Sequence, residues 1–147
     1  MNRLVIDQSR LQAALAAQLG PVSVAMGETV AGFLKEKMSG SGSGVQHPGL
    51  PRPSSAPGEY PAMQGGALVR SLGHEAVDAF HQRAGALNSV APVPPEAWAL
   101  EFPAPAGSPI KRTGPKGARP WVSKALSDAE LRQRLVEAVK KRGARLR

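Results

Sequence analysis

Residues 39–66 restrict the fold more than any other part of this 147-residue chain. The stretch contains five prolines and seven glycines, at positions 48, 51, 53, 57 and 61 and at positions 40, 42, 44, 49, 58, 65 and 66. Proline fixes φ and lacks an N–H donor, and glycine loses backbone entropy in regular structure, so neither a helix nor a central strand is expected here. So long an insert in a compact domain is usually functional or disordered. We therefore predict an extended inter-subunit arm.

The predicted arm has two parts with different stiffness. Ser39–Gly44 alternates serine and glycine, which is typical of a flexible tether, and Val45–Pro61 is a stiffer, extended proline-rich segment. The arm has too little apolar surface to offset the entropy of its own ordering, so we expect it to be mobile in the free subunit and ordered in an assembly. Its expected partner-binding residues are Leu50, Pro51, Pro53, Pro57, Tyr60, Pro61 and Met63.

The remainder of the chain is long enough for one modest core, so a single domain over residues 1–147 is expected. The chain has no cysteine, which excludes a disulfide scaffold, a thiolate metal site and a cysteine nucleophile. The first ten residues lack the apolar run of a signal peptide, so export by that route is not expected. No uninterrupted apolar run is long enough to span a membrane.

Positive charge is concentrated at the C-terminal end. Residues 111–147 hold 12 of the 19 Lys and Arg residues but only 3 of the 11 Asp and Glu residues. Such a block can face nucleic acid or an acidic protein surface, or it can simply be a solvated tail. The candidate contacts with DNA or an acidic partner are Lys111, Arg112, Lys116, Lys140, Lys141 and Arg142.

The front of the chain predicts two helices. Asp7 is a candidate N-cap for a helix over Gln8–Leu19, and a break at Gly20-Pro21 starts a second helix that ends near Met38. The first helix carries an apolar stripe of Leu11, Leu15 and Leu19. The buried face expected on the second consists of Met26, Val30, Phe33, Leu34 and Met38.

The back half predicts a small antiparallel sheet. Glu75–Arg83 is predicted as a strand, Gly85 as the turn, and Ala86–Val90 as a second strand. A short helix or turn follows over Pro95–Phe102, and a basic loop over residues 103–119.

The last helix is predicted from a capping box, with Ser127 as the N-cap, Glu130 reaching back, and Leu126 and Leu131 as a hydrophobic staple. Its buried stripe is expected to be Leu131, Leu135, Val136 and Val139, and Gly143 is the expected stop. The fold class is therefore α+β: N-terminal helices and a C-terminal helix packed on a small antiparallel sheet, with the long extended arm.

No catalytic constellation is present in the sequence. His74 lacks the second histidine of a zincin helix, the Ser/Gly tether lacks the lysine of a phosphate-binding loop, and Glu96 and Glu101 are badly spaced for paired acid–base work. We expect a non-enzymatic protein with no metal and no cofactor.

Two segments of the back half carry short motifs in a fixed order. The first is the proline-rich stretch with Gly58-Glu59-Tyr60-Pro61, Gln64-Gly65-Gly66 and Leu68–Leu72. The second is Ala97–Leu126, where the motif residues are Trp98, Leu100, Glu101, Phe102, Arg119, Pro120 and Trp121. In type and order these motifs resemble those of the tail-completion, or head–tail joining, proteins of long-tailed bacteriophages and prophages, and they span most of the back half.

The resemblance implies a structural virion protein in the neck of a tailed phage. Its implied partners are copies of itself in a ring and the neighbouring adaptor or stopper, tail-terminator or tail-tube proteins, with possible non-specific contact to DNA in the channel. Assembly would take place in the host cytoplasm. The alternative, from the basic C-terminal quarter, is a small non-catalytic nucleic-acid-binding protein.

Overall fold

The computed structural model describes residues 7–101 and 119–144, except for the side chains of Glu96, Trp98 and Ala99. It has the α+β fold expected, with helices packed on a two-stranded antiparallel sheet. The helices are α1 (Gln8–Met38), α2 (Ala67–Ser71), α3 (Glu96–Glu101), α4 (Val122–Ser127) and α5 (Ala129–Gly143). The strands are β1 (Leu72–Ala76) and β2 (Gln82–Ala86).

Helix α1 is continuous, so the prediction of two front helices was wrong. Asp7 caps it as expected, since its Oδ1 accepts from the backbone N–H groups of Ser9 at 3.0 Å and Arg10 at 3.2 Å. Pro21 lies inside the helix rather than at a new start. The proline removes the N–H that would bind the Ala17 carbonyl, but both residues are exposed, so water can satisfy that carbonyl.

The sheet is a hairpin displaced from its predicted position. Leu72 pairs with Ala86 and Ala76 with Gln82, so the predicted strand Glu75–Arg83 in fact crosses the turn, and Ala86–Val90 is not a strand. The turn forms because Asp78 Oδ1 accepts from the N–H groups of Phe80 at 2.8 Å and His81 at 2.9 Å. Gly85 lies within β2 at φ 145°, a backbone conformation that favours glycine.

Two short helices were not predicted, namely α2, directly before the hairpin, and α4, directly before α5. Gly66, at φ 74°, begins α2. Ser127 ends α4, and the N-cap of α5 is Asp128, whose Oδ1 accepts from the Glu130 N–H at 2.9 Å, so the predicted capping box was wrong. The staple was also wrong, since Leu126 is 73% exposed. Helix α5 ends at Gly143 as predicted.

The core lies where α1 meets α5 and the hairpin. Its buried members are Phe33, Leu34, Met38, Leu72, Ala97, Trp121, Ala125 and Leu131. Three predicted core residues are instead exposed, namely Met26, Val136 and Val139. Gly27 allows close packing of α1 on β1, because a Cβ there would lie 3.1 Å from the His74 side chain.

Ion pairs tie α1 to α5 at the edge of this core. Lys37 Nζ lies 2.6 Å from Glu130 Oε2, and Arg134 pairs with both Glu36, at 2.7 Å, and Glu130. Lys37 and Arg134 also lie over the Phe33 ring, 5.2 and 5.5 Å from its centroid. The hydrogen bonds from Lys37 and Arg134 hold the pKa of Glu130 below its usual value.

Candidate partner-binding surface

Residues 39–66, here called the proline-rich loop, double back on themselves. The Gly44 N–H donates to Ser54 O at 2.7 Å, and the Ser54 N–H donates to Val45 O at 3.1 Å. The Met63 N–H donates to Gly40 O at 3.2 Å and closes the base of the loop. The segment is thus extended locally but folded back overall, and its reach to another subunit stays a prediction.

Glu59 holds the two sides of the loop together. Its carboxylate accepts from the Ser43 N–H at 3.1 Å, from the Ser43 hydroxyl at 2.5 Å and from the Ala56 N–H at 2.7 Å. These hydrogen bonds, that from the Ser43 side chain first, lower the pKa of Glu59 to about 2. The loop is therefore fastened by a charge-assisted contact that requires the ionised carboxylate.

Tyr60 fastens the loop to the body. Its ring meets Phe33 of α1 edge-on, with centroids 6.2 Å apart, and Lys124 Nζ lies 4.9 Å from its centroid. Its hydroxyl donates to Asp128 Oδ2 at 3.2 Å. Burial, and then the neighbouring Asp128 carboxylate, raise the pKa of Tyr60, so the hydroxyl remains a donor at neutral pH.

Glu101 and Trp121 form a second junction, between α3 and α4. The Glu101 carboxylate accepts from the N–H groups of Trp121 at 2.7 Å, Val122 at 2.8 Å and Ser123 at 3.0 Å, and so caps α4 from another element. Partial burial alone would raise the pKa of Glu101, but the hydrogen bonds from Ser123, Val122 and Trp121 outweigh it and lower the pKa. Trp121 is buried, and its Nε1–H donates to Ala97 O at 3.1 Å.

Arg119 joins this second junction to the proline-rich loop. Its Nε–H donates to Ser55 O at 2.7 Å, and its backbone N–H donates to Leu100 O at 3.0 Å. Ser55 is itself 3% exposed. The two sequence segments that carry the phage resemblance therefore meet in one place through Arg119.

An open groove of about 1080 Å³ runs between the proline-rich loop, α2 and α3. Its walls include Leu50, Pro61, Met63, Leu100 and Arg119, all of them residues singled out from the sequence. The side chain of Gln64 also borders it, with Nε2 donating to the carbonyls of Arg52 and Pro53. The groove is thus bordered both by predicted partner-binding residues of the proline-rich loop and by motif residues of Ala97–Leu126.

The predicted loop contacts divide into two groups. Leu50, Pro51 and Pro57 are exposed and available to a partner. Pro61 is buried, while Pro53, Tyr60 and Met63 are half-buried. The inward group fixes the loop to the body, so only the outward group can contact another chain without rearrangement.

The basic residues are described only in part. Lys140 and Lys141 are exposed in the last turn of α5, and Arg142 is half-buried. Arg119 and Pro120 are half-buried beside the core. Four predicted site residues lie outside the described part of the chain, namely Phe102, Lys111, Arg112 and Lys116. Almost all of the predicted basic loop and the side chain of Trp98 also lie outside it.

Residues 7–101 and 119–144 contain no cluster of three His, Asp or Glu side chains that could hold a metal ion. His74 Nδ1 lies 3.3 Å from Gln82 Oε1 on the paired strand, and His81 Nδ1 lies 2.7 Å from Asp78 Oδ2 in the turn. Within the same ranges, no helix has the length and apolar character needed to cross a membrane.

Sequence reasoning missed the contacts that join distant residues. Nothing in the local pattern links Tyr60 to Asp128, or Arg119 to Ser55. The available signal was composition: Tyr60 is the only tyrosine of the chain and lies in an otherwise small-residue, proline-rich stretch, which favours a role as an anchor.

Comparisons of the chain with protein-family models, with curated proteins and with solved structures found no match.

Proposed function

We propose that this protein is a structural component of the neck of a tailed phage, where it completes the tail and joins it to the head as a ring of identical subunits. It acts by binding neighbouring neck and tail proteins and not by catalysis. In this proposal its place is the virion, after assembly in the host cytoplasm.

The observation that carries the proposal is the junction between the two resembling segments. The two segments, His47–Leu72 and Ala97–Leu126, are far apart in sequence, yet Arg119 Nε–H donates to Ser55 O at 2.7 Å, and Lys124 Nζ donates to Gly58 O at 2.6 Å. Motifs that occur in family order and also pack together can act as one functional unit.

The outward residues of the proline-rich loop are the proposed contact with a neighbouring protein. Leu50 is 39% exposed and is flanked by Gly49, at φ 80°, and Pro51. A turn of this kind holds an apolar side chain outward at little entropic cost, which favours binding. The groove behind it gives a partner segment a second wall to contact.

The test is inactivation of the gene in the phage or prophage that encodes the protein, followed by electron microscopy of the lysate. Filled heads and separate tails are expected, with joined particles restored by a plasmid copy. A copy carrying Leu50→Ser, Pro51→Ser and Pro57→Ser should fold but fail to restore joining. The control, Val136→Ser on the exposed face of α5, should restore it. Joined particles in the absence of the protein would refute the proposal.

The second candidate function is nucleic-acid binding, and one observation favours it. Lys140 and Lys141 are exposed in the last turn of α5, in the part of the chain that holds most of the positive charge. The two functions are compatible if DNA passes through the ring, since sliding DNA requires weak, sequence-independent contacts.

A further inference from the structure

The first three turns of α1 project from the body with an uncovered apolar face. Leu11, Leu15 and Leu19 are 50%, 41% and 45% exposed. In the described part of the chain, the first hydrogen bond from α1 to another element is that from the Ser23 hydroxyl to Ala79 O, at 3.2 Å. Residues 8–19 therefore carry a leucine stripe that nothing in the described molecule covers.

An uncovered stripe of this kind is unfavourable for an isolated helix. Twelve residues of α-helix are marginal in water by themselves, and most helical stability in proteins comes from packing of an apolar face. A row of half-exposed leucines instead marks an interaction site. The remaining question is which surface fits it.

The stripe is complementary to itself. The leucines are four residues apart on either side of Leu15, so a two-fold axis through Leu15 would place Leu11 of one copy against Leu19 of the other. Alanines 13, 14, 16 and 17 border the leucines, and such small residues leave grooves into which the ridge of a second helix can pack. The same surface therefore supplies both knobs and holes.

The distribution of charge also favours a second copy of the chain as the partner. No Asp, Glu, Lys or Arg occurs from Leu11 to Gly27, although the chain as a whole carries a net charge of +8. Two copies can therefore meet along this stretch without facing like charges. Arg10 is the only Lys or Arg between Asp7 and Leu34, whereas a helix that binds an anionic membrane surface is rich in Lys and Arg on its polar face.

Geometry favours the antiparallel arrangement. Residues 8–19 span about 18 Å at the usual helical rise. In an antiparallel pair the two positively charged bodies lie at opposite ends of this span, and the helix dipoles oppose each other favourably. A parallel pair would bring both bodies to the same end.

We propose that the stripe Leu11–Leu15–Leu19 binds the same stripe of a second copy of this chain as an antiparallel, two-fold helix pair. The pair is independent of the proposed role in the neck, because it uses neither the proline-rich loop nor the basic residues. Failure of one proposal therefore leaves the other standing.

The natural absence of cysteine allows a direct test by cross-linking. Leu15→Cys lies on the proposed two-fold axis, so mild oxidation should give a disulfide-linked dimer. Leu11→Cys and Leu19→Cys should each remain largely monomeric alone but should cross-link when mixed, since a disulfide requires Cα atoms within about 7 Å. Val136→Cys, also exposed and apolar but on α5, is the control.

Sedimentation equilibrium of the full chain supplies the second measurement. The wild-type mass should rise with concentration to twice that of Leu15→Glu under the same conditions, and Val136→Glu should behave as wild type. The proposal is overturned if Leu15→Cys cross-links no more than the control, or if Leu15→Glu leaves self-association unchanged. Strong self-cross-linking by both Leu11→Cys and Leu19→Cys would indicate a parallel pair and would overturn the antiparallel arrangement.

Discussion

Gly42 and Gly40 lie two residues apart but differ in the space that a side chain would find. A Cβ at Gly42 would lie 2.2 Å from the Ser54 carbonyl oxygen and the Ser55 Cα, whereas a Cβ at Gly40 would meet nothing within 4 Å. The contact at Gly42 is with backbone, which cannot move aside as a flexible side chain can. Glycine is thus required at Gly42 for close approach of the two sides of the proline-rich loop.

Gly42→Ala should therefore lower the free energy of unfolding by about 1–3 kcal/mol, the usual cost of overpacking. Gly40→Ala, the matched control, should change it by no more than about 0.5 kcal/mol, as exposed substitutions do. Urea unfolding followed by circular dichroism measures both. Equal effects at the two positions would mean that the fold-back of the loop is absent in solution.

Glu101 is the residue whose charge most directly supports a helix. Its lowered pKa means that its stabilising effect is complete above the unfolded-state value of about 4.3 and is lost as the pH falls through the lower folded-state value. Glu101→Gln should cost about 1–2 kcal/mol at pH 7, because the three N–H groups of α4 lose an ionised acceptor.

The difference between wild type and Glu101→Gln should shrink as urea unfolding is repeated at successively lower pH, because the stabilising effect is lost as the pH falls through the lowered folded-state pKa. Glu137→Gln on the exposed face of α5 is the control and should be near neutral throughout. A difference that is independent of pH would show that the amide fails sterically and not by loss of charge.

At the scale of elements, the local sequence pattern was sufficient to predict some helices but not the position of the hairpin. Asp7, the apolar spacing of residues 26–38, Pro95 and Gly143 predicted most bounds of α1, α3 and α5. The hairpin was misplaced because its turn depends on the Asp78 side chain, which binds the backbone two and three residues later. A period-two pattern does not reveal that contact.

The short helices were missed by sequence-based prediction for a different reason. Helix α4 is capped by Glu101, about twenty residues earlier, so its start depends on a tertiary contact. Met26, Val136 and Val139 match a buried helical face by spacing, but α1 and α5 are each covered over only part of their length. Periodicity identifies an apolar stripe but does not say which part of it another element covers.

Closure of the proline-rich loop is expected to depend on pH through Glu59. Glu59 has a pKa of about 2 in the folded chain, below the usual value of about 4.3 for the unfolded state. Its contribution to loop closure is therefore full above about pH 4.3 and is lost as the pH falls toward 2.

Glu59→Gln should open the loop at neutral pH, because the neutral amide replaces an ionised acceptor for Ser43 and Ala56. Limited proteolysis at pH 7, with fragments identified by mass spectrometry, should show faster cleavage between residues 40 and 66 than in wild type. Glu137→Gln again serves as control and should be cut at the wild-type rate. Equal rates for all three proteins would show that Glu59 does not hold the loop closed.

At the scale of the whole molecule, the candidate site was predicted as two sequence segments but not as one place. Trp121 was expected in the core and is buried there, whereas Tyr60, expected to bind a partner, contacts the body of its own chain. Their junction through Arg119 depends on a side chain that crosses between loops. Such contacts are set by the assembled fold, and single-sequence patterns hold no information on them.

The asymmetry of charge is likewise a property of the whole molecule. The acidic side chains Glu36, Glu59, Glu101, Asp128 and Glu130 are all engaged by donors within the body. Lys140 and Lys141 are exposed in the last turn of α5, and further basic residues follow them in the sequence. The end of α5 is thus the part of the described molecule best suited to meet phosphate.

We expect weak DNA binding that does not depend on sequence, with dissociation constants of about 10⁻⁴–10⁻⁶ M, because only phosphate contacts are available. Fluorescence anisotropy with labelled duplexes of several sequences, at two salt concentrations, measures it. Lys140→Gln with Lys141→Gln should weaken binding and reduce its salt dependence, since two fewer cations displace counterions.

Arg10→Gln with Lys35→Gln removes the same charge from exposed positions on α1 and is the matched control. If both double variants bind equally, net charge alone governs binding and the end of α5 is no DNA site. Tight binding to one sequence at high salt would instead favour the nucleic-acid-binding function over the neck role, because a channel that grips one sequence would stop the passage of DNA.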